Sequence, residues 1–215
     1  AQALCLVLFL SLASVLAGIR VTCIGDSITE GGGCVAERYT DVLQKKLDAY
    51  RKHTYQVFNA GKSSQTMLRM GKCNTKKDQP PSQYGNCSYW NTEAWQDAQN
   101  SKPDIVTIML GTNDAKSFNW QGVQQDVGDF YALDAVRMIN TMRALRPSPQ
   151  IFLMVPPLLY PPFPFQMNAT VINDIYPVLI RDIAEVMGCG VIDVHTAYAN
   201  SPLPAANLTC DGCHP

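Results

Sequence analysis

Short apolar runs alternate along the chain with longer segments in which apolar residues recur every three or four positions. The short runs predict buried β-strands, because continuous apolar stretches suit strands that are covered on both faces. They occupy residues 19–24, 55–59, 105–110, 151–155 and 191–194. The longer segments predict amphipathic helices, each with one buried face. They occupy residues 37–51, 91–100, 130–145 and 171–187.

The alternation of strands with helices indicates the α/β class. Strands connected through helices form βαβ units, which predict a central parallel five-stranded sheet covered on both faces. No internal repeat or second domain is visible, so residues 19–215 are expected to form a single domain. Pro177 should kink the last helix. Residues 72–101 are polar and carry Pro and Gly, which predicts an insertion loop with a short helix at its end.

The first 18 residues differ from the rest because they are apolar and carry no charge. Val15 and Ala17 supply the small residues of a cleavage site, so residues 1–18 are interpreted as a signal peptide and the protein as secreted. The segment has neither an initiator Met nor a basic start, so we expect it to be N-terminally incomplete. A signal anchor and a buried first strand are the alternatives. Three glycosylation sequons, at Asn86, Asn168 and Asn207, agree with secretion.

Eight cysteines are many for a cytosolic enzyme of 215 residues. Loss of the signal would remove Cys5 and leave an odd number, so at least one thiol is free or pairs between chains. Cys23 lies in the first predicted strand and is expected to be an inert buried thiol. Cys73 and Cys87 flank the insertion loop and are expected to pair. Three cysteines leave their pairing open at this point: Cys189, Cys210 and Cys213.

Polar residues follow several predicted strands, and at least one of them could be a nucleophile. Ser27 follows the first strand in a glycine-rich turn, Gly61 follows the second and Asn113 follows the third. The carboxyl ends of parallel strands meet at one edge of a sheet, where ligands bind. Asp211 and His214, three residues apart around Gly212, could present a carboxylate and an imidazole together. These are the parts that an activated serine requires.

A serine nucleophile such as Ser27 needs a base to take its proton, which His214 could supply, and a group such as Asp211 to orient that base. The backbone N–H groups of Ser27 and Gly61 and the side-chain amide of Asn113 could form an oxyanion hole. A rival base and carboxylate, His195 and Asp193, lie by the fifth strand. Two aromatic residues after the third strand could form a wall for the substrate, although packing is the simpler interpretation: Phe118 and Trp120.

The chain contains four short motifs: Gly25-Asp26-Ser27, Gly61 after Asn59, Gly111-Thr112-Asn113-Asp114 and Asp211-x-x-His214. Together, and in this order, they resemble the conserved motifs of the SGNH (GDSL-type) hydrolase family. The stretch at residues 110–120 is similar to the carbohydrate O-acetylesterase branch, including sialate O-acetylesterase-like proteins. The resemblance implies a three-layer α/β/α sandwich of flavodoxin-like type. It also implies the triad and oxyanion hole named above, with no metal and no organic cofactor.

The resemblance implies a secreted serine esterase that removes small acyl groups, above all acetyl, from carbohydrate. The alternatives are a lysophospholipase- or thioesterase-type lipid esterase, which the apolar residues 158–165 would favour, and a non-catalytic glycan-binding relative. The expected partner is a small-molecule or glycan ester. A net charge of −1 suggests no nucleic-acid partner, and no stable membrane association is expected after signal removal. Family members usually continue beyond the last motif with a closing helix, which this sequence is expected to lack.

Overall fold

Five parallel strands form the central sheet. The computed structural model describes residues 18–33, 37–73, 87–120 and 127–215. The strands are β1 (Ile19–Gly25), β2 (Tyr55–Gly61), β3 (Ile105–Met109), β4 (Gln150–Val155) and β5 (Gly190–Asp193). Their order is β2-β1-β3-β4-β5, and every neighbouring pair is parallel. This is the flavodoxin-like doubly wound order, so the predicted fold class is confirmed.

Helices connect the strands and cover the sheet. In the described residues they are α1 (Ser27–Glu30), α2 (Tyr39–Tyr50), α3 (Glu93–Asn100), α4 (Ser117–Trp120), α5 (Val127–Arg143), α6 (Tyr176–Met187), α7 (Val194–Ala199) and α8 (Ala205–Leu208). Short 3₁₀ turns lie at Tyr89–Asn91 and Pro164–Gln166. The four long predicted helices are all present, with boundaries that differ by a few residues.

The two faces of the sheet belong to separate apolar clusters. Neighbouring residues of a strand point to opposite faces, and Ile108 belongs to the large cluster whereas Met109 belongs to the small one. The large cluster includes buried residues of α3, α5 and α6, and the small one packs against Tyr39 of α2. Helices therefore cover both faces, as expected for a three-layer fold.

Pro177 changes the geometry of the last long helix. Residues Val171–Ile175 form a π-helical turn, and regular α-helix begins at Tyr176, with Pro177 in its first turn. A proline is tolerated in that position because its missing N–H would have no partner within the helix. The helix predicted over residues 171–187 thus consists of a π-helical turn followed by regular α-helix.

The cysteines are divided between disulfides and free thiols. Cys73 and Cys87 are joined by a disulfide, as predicted. Cys23 is a fully buried free thiol, also as predicted. Cys210 is disulfide-bonded, whereas Cys189 and Cys213 are free. The two pairings left open for Cys210, with Cys189 or with Cys213, are thereby excluded.

The signal-peptide prediction falls on residues that lie outside the described part of the chain, apart from Gly18. Within the described ranges, none of the helices has both the length and the apolar character needed to cross a bilayer.

Candidate active site

Ser27 lies at the first position of the one-turn helix α1, directly after β1. The side chain of Asp26 caps this helix by accepting a hydrogen bond from the Ile28 N–H at 3.0 Å. Gly31 ends it in the left-handed conformation, with its N–H bonded to the Ser27 carbonyl. The first N–H groups of a helix have no partner within the helix. Ser27 thus presents a fixed hydroxyl together with a backbone donor.

His214 and Asp211 reach Ser27 from the other end of the chain. The Ser27 Oγ lies 2.9 Å from His214 Nε2, and His214 Nδ1 lies 2.7 Å from an Asp211 carboxylate oxygen. A carboxylate can only accept, so Nδ1 carries the proton and Nε2 is left to accept from the serine hydroxyl. The second Asp211 oxygen accepts from the N–H groups of Cys213 and His214, at 2.9 and 2.8 Å.

The hydrogen bonds around Asp211 determine its charge state. Partial burial raises its pKa, but the donors from His214 and Cys213 outweigh that effect and hold the pKa below its ordinary value. Gly212, with a φ of +91°, allows the turn between the two residues. A Cβ at this position would lie 2.6 Å from the Tyr160 carbonyl oxygen. The Asp-Gly-Cys-His turn therefore keeps an ionised carboxylate against the imidazole.

The rival residues His195 and Asp193 are engaged differently. Asp193 caps α7 through the Thr196 N–H at 3.0 Å and pairs with the Arg181 guanidinium at 2.5 Å. His195 Nε2 is buried without a hydrogen-bond partner in the described residues, and burial lowers the pKa of this imidazole. Among the described residues, the cavity beside Ser27 is lined by His214 and not by His195.

Asn113 is held rigidly at the turn after β3. Its side-chain Nδ2 donates to the Gln65 carbonyl at 3.1 Å, which leaves the second amide hydrogen for another acceptor. Its own carbonyl accepts from Asn119 Nδ2 at 3.0 Å. Asp114 accepts from the N–H groups of Met67 and Leu68, so the prediction that Asp114 ties down this loop is confirmed.

Gly61 is not brought to the site. Strand β2 continues as far as Gly61, whose N–H donates to the Asn59 side chain at 2.8 Å. The following turn instead brings Ser64 to the cavity, with a φ of +67°. The Ser64 N–H has no hydrogen-bond partner within the described residues. The prediction placed the donor at the end of a strand that runs two residues further than expected.

The cavity beside Ser27 is small, and most of the residues that line it are polar. Its volume is about 270 Å³, below the ~300–1,000 Å³ usual for sites that hold drug-sized ligands. Six polar residues and two glycines contribute to its wall, together with Phe165 and Met167. The polar ones are Ser27, Ser63, Ser64, Asn113, Lys116 and His214. This lining suits a short acyl group better than a long apolar chain.

Two buried charged groups lie close to these residues. Burial raises the pKa of Asp26 to about 6, although the Ile28 N–H and the positive charges of His214 and Lys116 oppose this. Burial lowers the pKa of Lys116, which is only 5% exposed. Neither the ammonium group of Lys116 nor the Asp26 Oδ2 atom has a direct partner in the described residues.

Phe118 and Trp120 do not reach this cavity. Trp120 packs edge-on against Tyr176, with ring centroids 5.5 Å apart, and joins the large core cluster. Neither residue is among those that line the cavity. The aromatic residue that lines the cavity is instead Phe165, at the end of the apolar segment 158–165. The packing interpretation is the correct one for Trp120.

Seven further residues that line the cavity were not among the predicted site residues: Gly32, Gly33, Ser63, Ser64, Lys116, Phe165 and Met167. Lys116 directly follows the Asn113-Asp114 motif, which is the sequence signal that could have identified it. As to metals, no group of three or more His, Cys, Asp or Glu side chains in the described ranges is arranged to hold an ion.

Comparison with known proteins identifies the family to which the chain belongs. The GDSL-like lipase/acylhydrolase family matches residues 23–215. An acetylxylan esterase of Xylanibacter ruminicola is 33% identical over 214 aligned residues, which cover 92% of this chain and 40% of that protein. The chain thus spans less than half of this curated relative.

Solved structures share the fold. The acetylxylan esterase Axe2 of Geobacillus stearothermophilus superposes with a TM-score of 0.63 at 24% identity, covering 93% of this chain and 87% of the other. The acetyl xylan esterase AlAXEase gives 0.64 at 20% identity and 91% coverage of both chains. An aryl esterase of M. smegmatis gives 0.59 at 20% identity, covering 92% of this chain and 90% of that one. The chain belongs to the GDSL-like lipase/acylhydrolase family, which confirms the family that the four motifs predicted.

Proposed function

We propose that the protein is a serine esterase that removes acetyl groups from carbohydrate through Ser27, His214 and Asp211. The observation that carries this proposal is the hydrogen-bonded series from the Ser27 Oγ through both nitrogens of His214 to Asp211. It opens into a small polar cavity that also contains the Asn113 amide.

The reaction proceeds in two steps. His214 Nε2 takes the Ser27 proton as the oxygen attacks the ester carbonyl, and the imidazolium then protonates the leaving sugar oxygen. Water, activated by the same nitrogen, attacks the resulting acetyl-serine and releases acetate. Asp211 stabilises the imidazolium and fixes its tautomer. The charge on this carboxylate is retained near neutral pH because its pKa lies below the ordinary value.

The oxyanion is expected to bind three donors: the Ser27 N–H, the Asn113 side chain and the Ser64 N–H. Ser64 takes the place first assigned to Gly61, because its N–H is unpaired within the described residues and it lines the cavity. Loss of one such donor costs on the order of 10²–10³ in turnover. Asn113→Ala should therefore lose activity by that factor, and an enzyme with near-normal kcat would show that Asn113 is only a turn residue.

Acetyl is the expected acyl group because the cavity is small. The names of the relatives, several of them acetylxylan esterases, support an acetylated carbohydrate as substrate. A series of alkanoyl esters from acetyl to dodecanoyl, assayed alongside acetylated xylan, tests both points. We expect maximal kcat/KM at acetyl and release of acetate from the polymer. Rising activity with chain length would instead favour the lipid esterase alternative.

We also propose that the protein is secreted. The Cys73–Cys87 disulfide and the further disulfide at Cys210 support this, because stable disulfides persist mainly in oxidising compartments. The sequon residue Asn207 is exposed and accessible to modification. A decrease in mass of the natively expressed protein on treatment with an N-glycosidase is expected. Recovery of an unglycosylated, fully reduced protein from the cytosol would contradict secretion.

A further inference from the structure

Residues 158–167 form a strap that contacts the catalytic turn. Near its start, the Tyr160 N–H donates to the Gly212 carbonyl at 2.9 Å, and Leu159 is clamped through its N–H and carbonyl by the Asn173 side chain. At its end, Met167 bridges to Lys116, just after the Asn113 turn. The strap is thus fixed at both ends to the segments that carry the site.

Between these anchors the backbone holds two phenylalanines outward. Phe163 and Phe165 have φ values of +52° and +58°, in the left-handed region that non-glycine residues rarely adopt. Both side chains are 44% exposed. Strained backbone conformations of this kind concentrate at functional sites, where surrounding contacts maintain them. Both the strain and the exposure of large apolar rings call for a functional explanation.

The two rings differ in what they face. The ring of Phe165 lines the cavity, and its centroid lies 5.7 Å from that of His214 in an edge-on arrangement. Phe163 is not among the described residues that line this cavity. Gly32 and Gly33 also line the cavity, and neither contributes a side chain. A Cβ at Gly33 would lie 2.5 Å from the Cβ of His214. The cavity mouth therefore has an aromatic surface and a bare backbone.

We propose that Phe165 is a substrate-binding residue that packs against the sugar ring bearing the ester. Pyranose rings present a face of C–H groups that is apolar, and an exposed aromatic ring buries such a face favourably. With the sugar on Phe165, its acetyl group enters the cavity towards Ser27 and Asn113. The cavity volume of about 270 Å³ leaves the sugar itself at the mouth. This inference rests on the proposed function and specifies how the carbohydrate is selected.

The test compares acetylated xylo-oligosaccharide with ethyl acetate, which has neither a sugar nor an aromatic ring. Phe165→Ala should lower the ratio of the two kcat/KM values roughly ten- to hundredfold, mainly through KM for the oligosaccharide. Phe165→Trp should preserve the ratio. Phe163→Ala is the matched control, because Phe163 has the same exposure and also a positive φ, and it should leave the ratio within about twofold of the wild type.

Binding measured in a Ser27→Ala background provides a readout that is independent of turnover. Calorimetry with the acetylated oligosaccharide should show a roughly ten- to hundredfold weaker Kd when Phe165→Ala is added, and no such change with Phe163→Ala. Equal loss on both substrates, with unchanged binding, would show that Phe165 only positions His214, and this would overturn the inference. A wild-type enzyme that cleaves ethyl acetate but neither cleaves nor binds the oligosaccharide would instead overturn the proposed carbohydrate substrate.

Discussion

The chain contains two pairs of an aspartate and a histidine, both near the carboxyl edge of the sheet, and their surroundings differ sharply. Asp211 is surrounded by donors from its own turn, one of which is the His214 imidazole. The Asp193 carboxylate instead caps helix α7 and forms an ion pair with Arg181. His195 is left without a partner for its Nε2 atom in the described residues.

This difference shows that proximity in sequence does not make a catalytic pair. An imidazole becomes a base for serine only when a carboxylate holds its Nδ1 proton and its Nε2 atom faces the hydroxyl. The Asp-Gly-Cys-His turn meets both conditions, because Gly212 lets the chain fold back on Asp211. At the end of β5, Asp193 begins helix α7 and its carboxylate accepts from the Thr196 N–H.

The largest effect is expected on exchanging the histidines. His214→Ala should lower kcat/KM for an acetyl ester by on the order of 10³ or more, because Ser27 loses its base. His195→Ala is the matched control and should retain activity within about threefold. Assaying both purified variants with the same ester shows which histidine is the base. Loss of activity on replacement of His195 alone would reverse the assignment.

The aspartates should differ in the same way, but by a smaller factor. Asp211→Asn keeps the side-chain shape and removes the charge that fixes the His214 tautomer, so kcat should fall by on the order of 10²–10⁴. Asp193→Asn can still cap α7 and loses only the Arg181 ion pair, so its kcat should be close to normal. Equal kcat values for the two variants would remove the distinction between the pairs.

Asp26 is a further carboxylate near His214, and its pKa is shifted in the opposite direction to that of Asp211. Its pKa is about 6 in the folded protein, against an ordinary value near 3.8. The folded state therefore binds more protons between these values, and stability falls as pH rises through that window. Asp26→Asn should remove this loss, gaining on the order of 1–3 kcal/mol relative to wild type between pH 4 and pH 8.

Urea unfolding of both proteins at the two pH values measures that gain. Asn can keep the cap to the Ile28 N–H, so the helix start is preserved in the variant. Wild-type and variant unfolding free energies that change in parallel with pH would show that Asp26 is not the group responsible.

The smallest effect is expected at His195. Burial lowers the pKa of this imidazole below its ordinary 6.5. The unfolded state therefore binds the proton more readily, and stability is lost as pH falls from above 6.5 through the lower folded pKa. His195→Gln should lose less stability than wild type on acidification from pH 7.5 to pH 5, as followed by Tm. Superimposable Tm profiles would contradict a lowered pKa for the half-buried His195 imidazole.

Much of the site could be predicted because its motifs are local. Ser27 directly follows a strand whose apolar pattern is unmistakable, and Asp211 and His214 lie in one tight turn. Gly61 does not line the cavity because β2 extends as far as this residue, and the sequence does not show where that strand ends. Ser64, which we propose as the donor, has a positive φ that glycine would ordinarily signal.

The aromatic wall could not be predicted because it depends on long-range packing. Phe118 and Trp120 are close to Asn113 in sequence, yet α4 places the Trp120 ring against Tyr176. Phe165 lies 138 positions from Ser27 along the chain, in a proline-rich strap whose path is set by contacts with Gly212 and Lys116. Local patterns carry no information about such contacts.

The most direct measurement is reaction with a fluorophosphonate, followed by mass spectrometry of the labelled peptide. We expect a single adduct on Ser27 in wild type and in His195→Ala, and strongly reduced labelling in His214→Ala. An unlabelled folded wild-type protein, or an adduct on another residue with Ser27 unmodified, would contradict the assignment of Ser27 as a nucleophile activated by His214.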